Sequence, residues 1–138
     1  MQLLSVNVGP SRDVDWKGSS YTTGIFKSPV EGPVPLRTLN LDGDKQVDLS
    51  VHGGPDRAVY AYPAEHYAFW QTVRAQAQVA LWEEVLPFGS IGENLTLEGA
   101  NENDVAIGDQ FGGPARRNRR RKRRVAPKTP VPTWMIRA

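Results

Sequence analysis

The 138-residue chain contains no cysteine. That excludes a disulfide framework, a thiolate metal centre and a cysteine nucleophile in the chain as written. Its two histidines, His52 and His66, are a weak basis for a metal site without thiolate partners, and no metal ligands are assigned. No run of 18 apolar residues is present, so no membrane-spanning helix is expected. The start, Met1-Gln2-Leu3-Leu4-Ser5-Val6, lacks the basic and apolar regions of a signal peptide, which makes the cytoplasm the default location. Acidic residues are missing from one whole region. Residues 112–138 carry eight Arg, two Lys and no acid, so residues 1–111 hold seven basic residues against all 15 acidic ones, a net of −8. An acidic body and a basic tail are two compositions.

What is present reads as one strand-rich domain with a modest core, 39% of residues being hydrophobic. In Met1 to Val8, Leu4, Val6 and Val8 alternate with Ser5 and Asn7, the period of a half-buried strand. Further strands are expected at Tyr21 to Lys27, Leu36 to Leu41, Asn94 to Leu97 and Val105 to Phe111, with an apolar stretch at Ala58 to Tyr62. Asp42-Gly43-Asp44 has turn chemistry. Pro63 opens the main helix, to about Val79, because proline suits a first helical position. His66, Trp70, Val73 and Ala77 fall on one face of it, and Leu81 to Phe88 could add a short helical turn and a loop. Short strands with Gly/Pro punctuation and one main helix indicate a β-barrel or sandwich decorated by a helix.

Four segments could carry chemistry. In Val51-His52-Gly53-Gly54-Pro55-Asp56-Arg57-Ala58-Val59, the glycine pair lets backbone approach an anion, and His52 and Arg57 add donors suited to phosphate or an oxyanion. The plainer reading is a tight turn with a capped histidine. Tyr62 to Trp70 supplies aromatics for core and loop packing, with His66 on the helix face. Gly92-Glu93-Asn94 is either simple turn chemistry or a means of aiming the Asn94 amide at a substrate. Val105-Ala106-Ile107-Gly108-Asp109-Gln110-Phe111 reads as a structural bulge or turn.

Five segments in this order resemble the MOSC family, named for the C-terminal domain of molybdenum-cofactor sulfurase, in its bacterial YiiM-like branch. They are Leu41-Asp42-Gly43-Asp44, Val51 to Ala58, Tyr62-Pro63 with Glu65-His66-Tyr67 and Trp70, Gly92-Glu93-Asn94-Leu95, and Ile107 to Phe111. The resemblance implies a mixed, strand-rich MOSC-type β-barrel with one main helix over residues 1–111, incomplete at its C-terminus. It implies binding of a molybdopterin-type molybdenum cofactor, with sulfur carriage or reduction of N-hydroxylated compounds as the parent activity and electrons supplied by a partner protein. Carried onto this chain, His52 and Arg57 would meet the cofactor's phosphate or oxo groups at the Gly53-Gly54 loop. Asp56 would orient Arg57, and Glu93 and Asn94 would line the pocket. Pyridoxal phosphate comes to the family only by association with a fused desulfurase, and no Schiff-base lysine supports it here.

The family continues after its Gly-Asp-x-Phe strand with a further strand and a Pro-Arg-x-Pro-Cys segment, whose thiolate is the proposed sulfur carrier or molybdenum ligand. Here Phe111 is followed by a basic Arg/Pro-rich tail, 112–138, so no catalytic residue is assigned. Three readings of the tail stand: a nucleic-acid arm at residues 116–124, giving a non-enzymatic binding protein; a disordered tail; or a frameshift. Pro127 to Pro132 can be encoded so that a one-base shift yields Pro-Arg-x-Pro-Cys. Under the last reading the chain is a truncated, inactive member whose barrel has unpaired edges.

Overall fold

The computed structural model describes residues 1–50, 53–54, 57–101, 103–106, 109 and 135–136. Seven strands and one helix occur among them: β1 (Gln2–Val8), β2 (Arg12–Trp16), β3 (Ser19–Thr23), β4 (Ser28–Pro29), β5 (Val59–Pro63), α1 (Tyr67–Gln76), β6 (Leu95–Glu98) and β7 (Met135–Ile136), with a 3-10 turn at Ala64–His66 leading into α1. The main sheet has the order β4-β1-β6-β5-β7, and β2-β3 form a separate ribbon. β6 runs parallel to β5 and antiparallel to β1, with a register shift between Leu3 and Ser5. The fold is therefore strand-rich and mixed, with one helix. The described strands make an open sheet and a ribbon, and no closed barrel is formed among the described residues.

The apolar core is small. Leu41, Ala58 and Val59 are buried together, with Val6, Val8, Val34 and Leu95 packed against them. β5 buries Val59, Ala61 and Pro63, as a strand flanked on both edges should.

Several sequence expectations need correction. The alternation expected in β1 puts Asn7 outward, yet Asn7 is fully buried while Leu4 is exposed, because polar partners wait for it at the start of β6. Tyr21 to Lys27 is not one strand: β3 ends at Thr23, and its partner β2 lies in a stretch for which no strand is expected. Leu36 to Leu41 is a tight loop closed by a single Leu36–Leu41 bridge. The Arg37 guanidinium clamps Asp42 across it at 2.8 and 2.6 Å. Pro63 ends β5 instead of opening the helix, and the α-helical part stops at Gln76. The helix buries Tyr67 and Ala75, not the His66–Trp70–Ala77 face, because the Tyr67 hydroxyl is drawn into a buried carboxylate. Leu81 to Phe88 forms no helix. Most of the strand expected at Val105 to Phe111 lies outside the described residues; within it, Ala106 and Asp109 close a turn through paired hydrogen bonds of 3.0 Å. Residues 112–134 also lie outside. Met135–Ile136, however, pairs antiparallel with β5, Val59 opposite Ile136 and Tyr60 opposite Met135, so the basic segment does contribute backbone to the sheet.

Candidate functional site

The site begins at the Leu41–Asp44 turn, closed by the Asp44 N–H donating to the Leu41 carbonyl at 3.0 Å. The turn drives the Asp44 carboxylate inward, and its side chain is 1% exposed. One carboxylate oxygen accepts the Gly9 N–H at 3.1 Å and pairs with the Lys27 ammonium. The other accepts the Asn94 amide at 3.0 Å. Asn94 also bridges the ends of β1 and β5. Its amide donates to the Asn7 carbonyl at 3.2 Å, and its oxygen accepts the Tyr60 N–H at 3.1 Å.

Beside this knot opens a cleft of about 480 Å³, lined among others by Thr23, Lys27, Lys45, Arg57, Ile91 and Asn94. Its described walls carry the cations Lys27, Lys45 and Arg57 against the carboxylates Asp44 and Asp48. A concave site with cations at rim and floor suits an anionic ligand with an apolar body.

Behind the cleft lies a second hub. Glu93 is fully buried, and every contact is donated to it, as a group with acceptors only requires. Gly89 N–H reaches it at 2.7 Å, Ile91 N–H at 3.2 Å, Thr96 hydroxyl at 2.8 Å and Asn7 amide at 3.4 Å, and the Tyr67 hydroxyl is hydrogen-bonded to it. Burial, and then the hydrogen bond to Glu93, push the Tyr67 pKa well above the ordinary tyrosine value; donation from Gly89 N–H opposes this.

Of the sequence-nominated residues, Arg57 and Asn94 line the cleft together. Both amide hydrogens of Asn94 are already committed within the protein. Glu93 is not among the lining residues. Gly54 accepts the Arg57 N–H at 3.1 Å, and Gly53 packs against Leu49 and Gln46. His52 and Asp56 lie outside the described residues, as does the tail run 116–124. His66 packs on the Tyr62 ring, centroids 5.6 Å apart. No cluster of three metal-ligating side chains occurs among the described residues, and no described helix is long and apolar enough to cross a membrane.

The sequence reading gives no site role to Lys27, Lys45, Asn7 or Tyr67. Lys27 enters only as the end of the strand expected at Tyr21 to Lys27, and only the third dimension sets it opposite Asp44.

Comparison with known proteins places this arrangement. The model of the MOSC domain matches residues 48–130, running past Phe111, where the motif-by-motif resemblance stops. The chain belongs to the MOSC domain family. It is 42% identical over 109 residues to the uncharacterized protein YflK of Bacillus subtilis, covering 79% of this chain and 46% of that one. The crystal structure of YiiM from Geobacillus stearothermophilus superposes with a TM-score of 0.51 at 32% identity, over 78% of this chain and 43% of the other. A protein of Gibberella moniliformis named "Reductase" is 33% identical over 94 residues, 68% of this chain and 16% of its own length. The chain thus spans less than half the length of these relatives.

Proposed function

We propose that the cleft is the part of a MOSC domain that receives the anionic portion of a molybdenum cofactor, within a protein whose whole-length activity is the reduction of N-hydroxylated compounds or the carriage of sulfur. The observation that carries this reading is convergence. Asp44, Arg57 and Asn94 come from three separate motif segments, 41–44, 51–58 and 92–95, and meet at one cleft that also holds Lys27 and Lys45. The reductase name of one relative supports the redox reading.

The residues fit one end of the cofactor. Lys45 and Arg57 at the rim and Lys27 at the floor would hold its phosphate, and the apolar Ile91 and Val59 would flank its ring system. They do not fit the metal end, since the chain has no thiolate to offer; the cofactor supplies redox chemistry when bound, and no step is assigned to this chain. Electron delivery from a partner protein, a cytoplasmic location and completion of the open sheet into a barrel belong to the same proposal for the full-length protein.

The test is titration of the chain with isolated molybdenum cofactor, followed by pterin fluorescence, against a Lys45→Ala/Arg57→Ala double variant. Saturable binding weakened about tenfold or more by the double variant is expected, about 1.4 kcal/mol in affinity. No saturation in the parent chain, or equal binding by both, refutes the proposal.

A further inference from the structure

Lys27 is gripped from two directions. Its ammonium pairs with Asp44, and both side chains are nearly inaccessible, at 7% and 1%. Its backbone is pressed by a second segment. A Cβ on Gly89 would lie 2.7 Å from the Lys27 carbonyl oxygen, and one on Gly92 would lie 2.7 Å from Ile25 Cγ1. Both glycines have φ near +90°, at 89° and 87°, a conformation only glycine adopts cheaply. The 89–92 loop therefore sits directly on residues 25–27.

Each grip has its own holder, and the two holders are neighbours in sequence. Glu93 receives the Gly89 and Ile91 N–H groups and so fixes the loop. Asn94 donates to the Asp44 carboxylate and so fixes the counter-ion. Glu93 is off the cleft, and Asn94, though it lines the cleft, has no amide hydrogen left for a ligand. Glu93 is fully buried, and the Asn94 amide hydrogens go to Asn7 and Asp44.

We propose that Glu93 and Asn94 are positioning residues for the Lys27 ammonium, Glu93 acting through the Gly89–Gly92 loop and Asn94 through Asp44. Neither donates a hydrogen bond to a ligand. The proposal deepens the anion-cleft reading and rests on it for its purpose, but not for its test.

The test is a lysine-selective ¹H–¹⁵N spectrum of the full chain near neutral pH. A buried, ion-paired ammonium exchanges slowly with water and gives a visible Nζ signal. Lys27→Arg assigns it by its disappearance. Asn94→Ala and the shape-conserving Glu93→Gln are expected to erase or shift the Lys27 signal while backbone amides stay dispersed. Val34→Ala, which weakens the apolar cluster instead, leaves it in place. Should Asn94→Ala fail to fold, Glu93→Gln carries the test. An unchanged Lys27 signal in Glu93→Gln overturns the proposal, as does its loss in Val34→Ala, which would mark a general response to destabilisation. Pyrophosphate titration separates the two readings. Both positioning variants are expected to bind it at least about threefold more weakly. If Lys27→Met binds pyrophosphate as well as the parent chain, the anion-cleft reading fails while the Nζ spectrum still decides the positioning role.

Discussion

The polar knot and the apolar cluster of this domain are neighbours with opposite economies. The apolar cluster buries three residues, Leu41, Ala58 and Val59, with four more leaning on it. The polar knot buries Asn7, Asp44, Glu93, Asn94 and Thr96, and every one of them has hydrogen-bond partners on another segment of chain. Burial of apolar area is non-directional and tolerates loss of a methylene group at modest cost. A buried carboxylate ringed by donors tolerates no such loss, because each stranded donor carries a desolvation penalty. In this chain, geometry at the cleft is therefore held by hydrogen bonding, with packing in support.

The comparison can be broken most forcefully at Glu93. Glu93→Ala removes the acceptor of the Ile91 N–H and of the Tyr67 and Thr96 hydroxyl protons and leaves Gly89 N–H only the Tyr67 oxygen, and is expected to cost about 3–5 kcal/mol. A urea midpoint measures it. Leu41→Ala, made in the apolar cluster, should cost less, about 2–3 kcal/mol. If Leu41→Ala proves the worse of the two, hydrophobic packing governs the fold and the ranking is reversed.

Tyr67→Phe is a finer cut, expected to cost about 1–2 kcal/mol through loss of one hydrogen bond to the carboxylate. It also carries a pH signature. The hydroxyl's pKa is raised in the folded state, so its contribution is fully present below the ordinary tyrosine value of about 10. Above that pH the unfolded chain loses a proton the folded chain keeps, and stability falls. Tyr67→Phe should flatten that part of the pH–stability curve; an unchanged slope would show that other groups produce it.

The smallest effect is expected at the exposed Arg37–Asp42 clamp. The guanidinium hydrogen bonds hold the Asp42 carboxyl below its usual range. Arg37→Ala should return it to that range in a carboxyl NMR titration and leave the urea midpoint in place, as exposed ion pairs add little.

How much of this was legible in the sequence follows the same divide. β1 and β6 are expected as strands near their observed bounds, β5 only as an apolar stretch, and the 41–44 turn is legible because Asp-Gly chemistry is local. The buried face of α1 was misread by one position: Trp70 is the stronger apolar signal, but Tyr67 has a carboxylate to meet. The 36–41 segment has strand-like spacing, yet backbone hydrogen bonds from Arg37 N–H to the Asn40 carbonyl and from Asp42 N–H to the Pro35 carbonyl close it into a loop. At the site, Arg57 and Asn94 could be named from motif chemistry. Lys27 could not, since its partner is 17 residues away and no local rule joins them. Glu93 was legible as special but not as interior; nothing in Gly-Glu-Asn says which side chain turns inward.

The most direct measurement is a ¹H–¹⁵N titration of the chain with pyrophosphate. Saturating shifts confined to the cleft, at Gly24, Lys45, Arg57 and Gly92, with the Glu93 hub moving little, are the expected result. Shifts spread over the basic segment 116–124 with the cleft unmoved would contradict it, and would place anion binding outside the polar knot altogether.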